Sequence, residues 1–270
     1  MNPFLFVTDL DYTLVGDDDA LGKINRKLEQ HRKEFGTKIV YATGRSQILY
    51  KRLTEEQSLL EPDALITAVG TEIYFDSHDE TPDSEWSEKL SSGWNRDLVE
   101  IAANFAQLVP QQESEQRPFK VSYLIPEETA VKVLPQLKSA LENSSLKFNL
   151  IYSGSKDIDI LPFYADKGLA VKFLQQKWGI NSYSTVVCGD SGNDIALFKV
   201  GEERGIIVGN TRPELLEWYK TNSTDYHYLA KASYAAGILE GLQYFNFLYK
   251  TIWQLNIQVN IHLLKCISFL

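Results

Sequence analysis

The chain has 270 residues, 44% hydrophobic and 12% aromatic, enough for one large domain or two smaller ones with a filled core. A formal net charge of -9 argues against a dedicated nucleic-acid binder, which would show a basic face, but leaves room for an anionic substrate held by a few local cations. The two cysteines, Cys188 and Cys266, have no metal-ligand spacing, so a reducing, cytoplasmic compartment is expected.

Phe4–Thr8 predicts a short buried strand that runs into Asp9, Asp11 and Thr13. The two acids interrupt the first apolar stretch, so no signal peptide is expected. Ile24–Phe35 predicts a helix, with Ile24, Leu28 and Phe35 on its apolar stripe. Lys38–Ala42 predicts a second strand ending in Thr43-Gly44-Arg45, followed by a helix over Gln47–Leu53. A third strand is expected at Ala64–Val69, then an acidic loop over Asp76–Glu88. Beyond it come a helical pattern over Leu98–Leu108 and an alternating, half-buried strand at Lys120–Ile125. A helix over Val131–Leu141 contains Pro135, which is expected to kink or restart it. Phe148–Tyr152 and Asp157–Leu161 read as paired strands around Ser153-Gly154-Ser155. Lys167 precedes a helix over Gly168–Trp178. A strand at Thr185–Cys188 enters Gly189-Asp190-Ser191-Gly192-Asn193-Asp194, a short helix covers Asp194–Val200, and Gly205–Val208 is a last strand.

Strands alternating with helices predict an α/β fold with a parallel sheet covered on both faces, whose polar strand ends converge on one crevice. The middle has a different texture and predicts an inserted α+β unit of roughly 80 residues. The expected division is a core of residues 1–81 and 163–248, an insert of residues 82–162, and a tail of residues 249–270. From Phe247 to Leu270 the chain is apolar, but Lys250, Gln254, Asn256, Gln258, Asn260, His262 and Lys265 are spread through it. A spanning helix needs about 20 mostly apolar residues, so a membrane span is not expected. An extra packed segment, an oligomer contact and a non-native read-through are the other readings of the tail.

Four constellations carry chemistry. Asp9 and Asp11 stand two residues apart at a strand end, where two carboxylates are costly unless a cation or proton sits between them. Asp9 suits a nucleophile that forms an aspartyl phosphate, and Asp11 suits the proton donor to the leaving alkoxide. An acidic turn capping a helix is the ordinary alternative. Thr43, Gly44 and Arg45 offer a hydroxyl and bare backbone to phosphate oxygens, as would any capped turn. Lys167 can neutralise phosphate and restrain the nucleophile, although most lysines lie on surfaces. Asp190 with Asp9 suits Mg²⁺, which takes few carboxylates plus waters and a phosphate oxygen. Asp194 can hold a metal-bound water, and Asn193 can reach phosphate or sugar.

In this order the four elements resemble the haloacid dehalogenase-like phosphatase superfamily. The resemblance implies a Rossmann-like core, Asp9 as nucleophile and Asp11 as acid/base. It also implies Thr43 and Lys167 as phosphate ligands, and Mg²⁺ on Asp9, Asp190 and the Asp11 carbonyl oxygen. The insert resembles the C2-type cap of that superfamily. Val69-Gly70-Thr71-Glu72-Ile73, Pro82-Asp83 with Trp86, Gly93-Trp94, Ser114 to Ser122, Ile151 to Gly154, Asp157 to Pro162, Ala235 to Ile238 and Phe245-Asn246 are similar to the sucrose-phosphate phosphatase family. This implies hydrolysis of sucrose 6-phosphate, the last step of sucrose biosynthesis, with sucrose-phosphate synthase as a partner worth testing. A monomer is expected. Trp86, Trp94, Arg117, Lys120, Tyr123, Asp157 and Asp159 are the group from which two or three sugar contacts are expected. The ordinary reading gives those aromatics to the insert's core and the charges to its surface. Three alternatives stay open: a phosphatase for trehalose phosphate or mannosylphosphoglycerate, a non-catalytic sugar-phosphate sensor, and a receiver-like module that stores phospho-aspartate.

Overall fold

A computed structural model describes residues 2–144 and 146–248. The tail expected at residues 249–270 lies outside the described residues. In chain order, β1 (Leu5–Thr8), α1 (Asp18–Phe35), β2 (Lys38–Ala42), α2 (Gln47–Glu56), β3 (Ala64–Thr67) and β4 (Glu72–Tyr74) build the first half of a large sheet layer. Next come α3 (Ser84–Ser91), α4 (Arg96–Ala102), β5 (Val109–Pro110), β6 (Val121–Leu124), α5 (Glu127–Asn143), β7 (Phe148–Ser153) and β8 (Asp157–Pro162). The chain then completes the large layer with α6 (Lys167–Trp178), β9 (Thr185–Gly189), β10 (Arg204–Ile207), α7 (Pro213–Asn222), β11 (His227–Leu229) and α8 (Tyr234–Tyr244).

The large sheet has the order β11-β10-β9-β1-β2-β3-β4, parallel except for the antiparallel β3–β4 pair. Its central strands are apolar and wholly buried, as expected where helices cover both faces. From β1 the chain leaves to β2 on one side, and β9 pairs with β1 on the other. A crevice therefore opens beyond the carboxyl ends of these three strands. Asp9, Thr43 and Asp190 each follow one of them.

The second sheet, β5-β6-β8-β7, is wholly antiparallel. Alternation in Asp157-Ile158-Asp159-Ile160 sends the isoleucines into a cluster with Val121, Val133 and Leu137 and leaves the aspartates on the opposite face. α5 is one continuous helix through Pro135 and does not restart there. Pro135 lies on the exposed side of the helix, where water can satisfy the carbonyl that its missing N–H leaves free.

Three expectations need correction. The strand expected to reach Val69 ends at Thr67, because Ala68 and Val69 take positive φ of 50° and 61° in a tight turn. The expected acidic loop becomes helix from Ser84, capped by the Asp83 carboxylate on the Trp86 N–H. That helix packs with the large sheet: Trp86 and Leu90 join the cluster of Val7 and Ala42, and Trp86 Nε1 donates to the Gly70 carbonyl at 3.1 Å. α3 therefore packs with the large layer. The helical pattern over Leu98–Leu108 closes as α4 at Ala102. Among the described residues no helix is long and apolar enough to cross a membrane.

Candidate active site

After β1 the chain turns sharply. The Leu10 carbonyl accepts from the N–H groups of Thr13, Leu14 and Val15, and Tyr12 takes a positive φ of 61°. Asp9 and Asp11 therefore leave the strand before they can share a strand face, and they meet different partners. Asp9 is buried, with Oδ1 accepting from Lys167 Nζ at 2.7 Å. Asp11 is half-buried and held by Arg45 in a two-pronged pair, Nε to Oδ2 and Nη2 to Oδ1, both 2.7 Å. Arg45, expected on phosphate, thus rests on the acid/base candidate.

The β9 end supplies the opposing acids. Asp194 is fully buried: Oδ1 accepts from Lys167 Nζ at 2.7 Å and Oδ2 from the N–H groups of Asp190 and Ser191 at 3.0 and 3.1 Å. Asp190 accepts from the Thr13 hydroxyl at 3.2 Å. Carboxylate oxygens of Asp9, Asp190 and Asp194 all lie within 4.8 Å of one another. Three carboxylates against one lysine leave two negative charges in a buried volume. Burial, opposed by Lys167 and helped by Asp194 and Asp11, pushes Asp9 up to about 7. Burial together with Asp194 and Asp9 pushes Asp190 up to about 8. Burial works against the Lys167 charge, but Asp194 and Asp9 outweigh it and raise its pKa. A hard divalent cation would balance this donor set, and the oxygens suit one.

Thr43 is buried, and its hydroxyl oxygen accepts from the Arg45 N–H at 3.1 Å, so its own proton stays available to donate. Gly44, Arg45 and Asn193 line a cavity of about 310 Å³ between the two sheets, together with Asp9, Asp11 and Asp190. The smaller sheet contributes Lys120, Asp157 and Asp159 to the same cavity. Lys120 is buried on Glu115 at 3.1 Å and Asp159 at 3.5 Å, and it donates to the Gly44 carbonyl at 3.3 Å. Asp157 accepts from Gln111 Nε2 at 3.0 Å.

Not every candidate arrives. Arg117 lies outside this cavity, because buried Glu72 takes its Nε at 2.6 Å. Trp86 and Tyr123 are packed in apolar clusters, and Trp94 Nε1 donates to the Pro118 carbonyl at 2.9 Å. The aromatic ring at the cavity is instead Tyr12, with the Arg212 guanidinium 4.9 Å over it. Gln111, Glu115 and Arg212 also line the cavity unforeseen. Only Glu115 left a trace in the sequence, as an acid in the stretch from Ser114 to Ser122.

The family model described as Sucrose-6F-phosphate phosphohydrolase matches residues 2–246. The chain belongs to this family. Sucrose-phosphatase 1 of Nicotiana tabacum is 38% identical over 252 residues, which are 90% of this chain and 59% of that protein. The chain thus spans about three fifths of the length of this and the other plant relatives it matches. Mannosylfructose-phosphate phosphatase of Agrobacterium fabrum is 32% identical over 89% of this chain and 96% of its own length. Among solved structures, the X-ray structure of the sucrose-phosphatase from Synechocystis, in complex with sucrose and phosphate, has a TM-score of 0.86 at 41% identity, covering 92% of this chain and 100% of that one. A haloacid dehalogenase-like hydrolase of Bacillus subtilis shares the fold, with a TM-score of 0.61 at 21% identity.

Proposed function

We propose that this member of the family is a Mg²⁺-dependent phosphatase that hydrolyses sucrose 6-phosphate to sucrose and phosphate, the last step of sucrose biosynthesis. The observation that carries the reading is the meeting of Asp9, Asp190 and Asp194 within 4.8 Å of one another, with Asp9 and Asp190 lining a cavity that Lys120, Asp157 and Gln111 line from the smaller layer. Asp9, Asp190 and the main chain at Asp11 would hold Mg²⁺, with Asp194 supporting a water on it. Bound there, the ion would offset phosphoryl charge and orient the ester.

Lys167 fixes the Asp9 carboxylate through Oδ1, so the nucleophile needs no reorganisation. Asp9 attacks phosphorus, the bond from phosphorus to the fructose oxygen breaks, and Asp11 gives that oxygen its proton. Water then attacks the aspartyl phosphate, Asp11 takes the water's proton, and Asp9 is released with phosphate. For either step Arg45 has to loosen its hold on Asp11. The arriving phosphate is the natural acceptor for its guanidinium. Thr43, Gly44, Lys167 and Asn193 complete the phosphate cradle.

The smaller layer acts as the cap. Its Lys120, Asp157 and Gln111 face the cavity and supply charged and amide partners for sugar hydroxyls. The proposal includes a monomeric enzyme, a cytoplasmic location, in keeping with the buried free thiol of Cys188, and sucrose-phosphate synthase as a partner. The test is phosphate release from sucrose 6-phosphate, mannosylfructose phosphate and trehalose phosphate, with and without Mg²⁺. Preference for sucrose 6-phosphate, abolished by chelation, supports the reading. Preference for another ester would reassign the substrate, and turnover without a divalent ion would remove the metal role.

A further inference from the structure

One carboxylate that plays no part in the chemistry above joins the two layers at the cavity rim. Glu214 stands in the first turn of α7, where a helix N-terminus favours negative charge. Its Oε1 accepts from the Gly154 N–H at 2.7 Å and from the Gly192 N–H at 3.4 Å. Gly154 belongs to the β7–β8 turn of the smaller sheet, and Gly192 to the loop that carries Asp190 and Asp194. Gly154 and Ser155 both have φ of 58° and are the two central residues of a hairpin turn closed by the Lys156 N–H on the Ser153 carbonyl at 3.3 Å. The Gly154 N–H lies outside the strand ladder and is open to an acceptor. Gly192 is needed for the approach: a Cβ there would stand 2.6 Å from the Tyr152 carbonyl and 2.8 Å from Glu214 Cγ. The turn held in this way begins at Ser153 and leads into Asp157, and both residues line the cavity.

We infer that Glu214 is a positioning residue, a latch whose single carboxylate oxygen holds the sugar-facing turn 153–157 of the smaller sheet over the cavity and ties it to the metal-site loop. The substrate consequence rests on the sugar-phosphatase reading, while the latch itself does not. The shorter bond is to the turn, so losing the carboxylate disturbs sugar placement more than phosphoryl transfer.

Two readouts test this on the full chain carrying Glu214→Ala. Hydrogen exchange over residues 148–160 reports the latch without any activity, and a charge-assisted bond of this kind corresponds to exchange faster by about tenfold or more. Glu214→Gln, which keeps an acceptor oxygen, should fall between Glu214→Ala and the parent. Gly192→Ala should loosen the same peptide by pushing the turn away. In kinetics, Glu214→Ala should raise KM for sucrose 6-phosphate by about tenfold and change para-nitrophenyl phosphate hydrolysis by less than about twofold. Unchanged exchange in Glu214→Ala overturns the latch. Faster exchange with equal losses on both esters overturns its role in sugar placement. A parent protein inert toward sucrose 6-phosphate overturns the substrate reading and leaves exchange to decide the latch.

Discussion

Each layer of this molecule buries a lysine between two carboxylates, and the two arrangements behave oppositely. In the smaller layer Lys120 joins Glu115 and Asp159. There the acids have further partners: Glu115 also accepts from the Ser46 N–H at 3.1 Å, and Asp159 from the Ser122 hydroxyl at 2.5 Å. Burial opposes the Glu115 charge, but Lys120 and Ser46 outweigh it and its pKa is lowered. In the large layer Lys167 joins Asp9 and Asp194, but a third acid, Asp190, stands beside them. Burial then dominates, and the pKa values of Asp9 and Asp190 rise. A carboxylate with all its partners fixes geometry. One that lacks them is left to bind a cation or attack a substrate.

The sharpest way to break this contrast is Asp190→Asn or Asp9→Asn. Each should cut phosphate release by at least about 10⁴-fold while the fold survives, because each relieves buried repulsion. Thermal melting of the metal-free variants should match or exceed that of the parent. Lys120→Met should do the reverse to stability. It strands two buried acids and should cost about 3–5 kcal/mol in denaturant unfolding. A variant as stable as the parent would show that the smaller layer's trio does not hold the fold together.

Metal and pH separate the two clusters further. Folded, metal-free protein holds protons on Asp9 up to about 7 and on Asp190 up to about 8, whereas unfolded carboxyls release them near 3.8. The native state therefore binds more protons across that window, and metal-free stability should fall as pH rises from about 4 to about 8. Mg²⁺ at a hundred times its dissociation constant should restore about 2.7 kcal/mol at the alkaline end, read by melting at several pH values. The smallest effect belongs to Arg117→Gln. Its guanidinium serves Glu72 outside the cavity, so stability should drop by about 1–3 kcal/mol while KM stays within about twofold.

The parts of the site that were legible in the sequence are those written within one strand and its following loop. Asp9 after β1, Thr43 after β2 and Asp190 after β9 could each be read locally, because an apolar run that stops at an acid or hydroxyl places that group at a strand end. Asp157 and Asp159, from the group expected at the sugar, line the cavity, while Ile158 and Ile160 between and beside them enter the apolar cluster. What could not be read depended on a distant partner. Arg117 went to Glu72, 45 residues away, and the Trp86 indole went to Gly70, so residue types suited to sugar were used by the frame instead. Arg45 was expected on phosphate, but Asp11 lies 34 residues before it and no local pattern announces the pair. α7 shows a missed local signal, since Pro213 at its first position is a helix start.

Calorimetric titration of Mg²⁺ into the purified protein near pH 6.5 tests the acidic cluster most directly. One ion bound per chain, with proton release into the buffer and loss of the site in Asp190→Asn, is the expected result. Equal binding by Asp190→Asn and the parent, or no binding by either, would contradict the assignment of the ion to Asp9, Asp190 and Asp194.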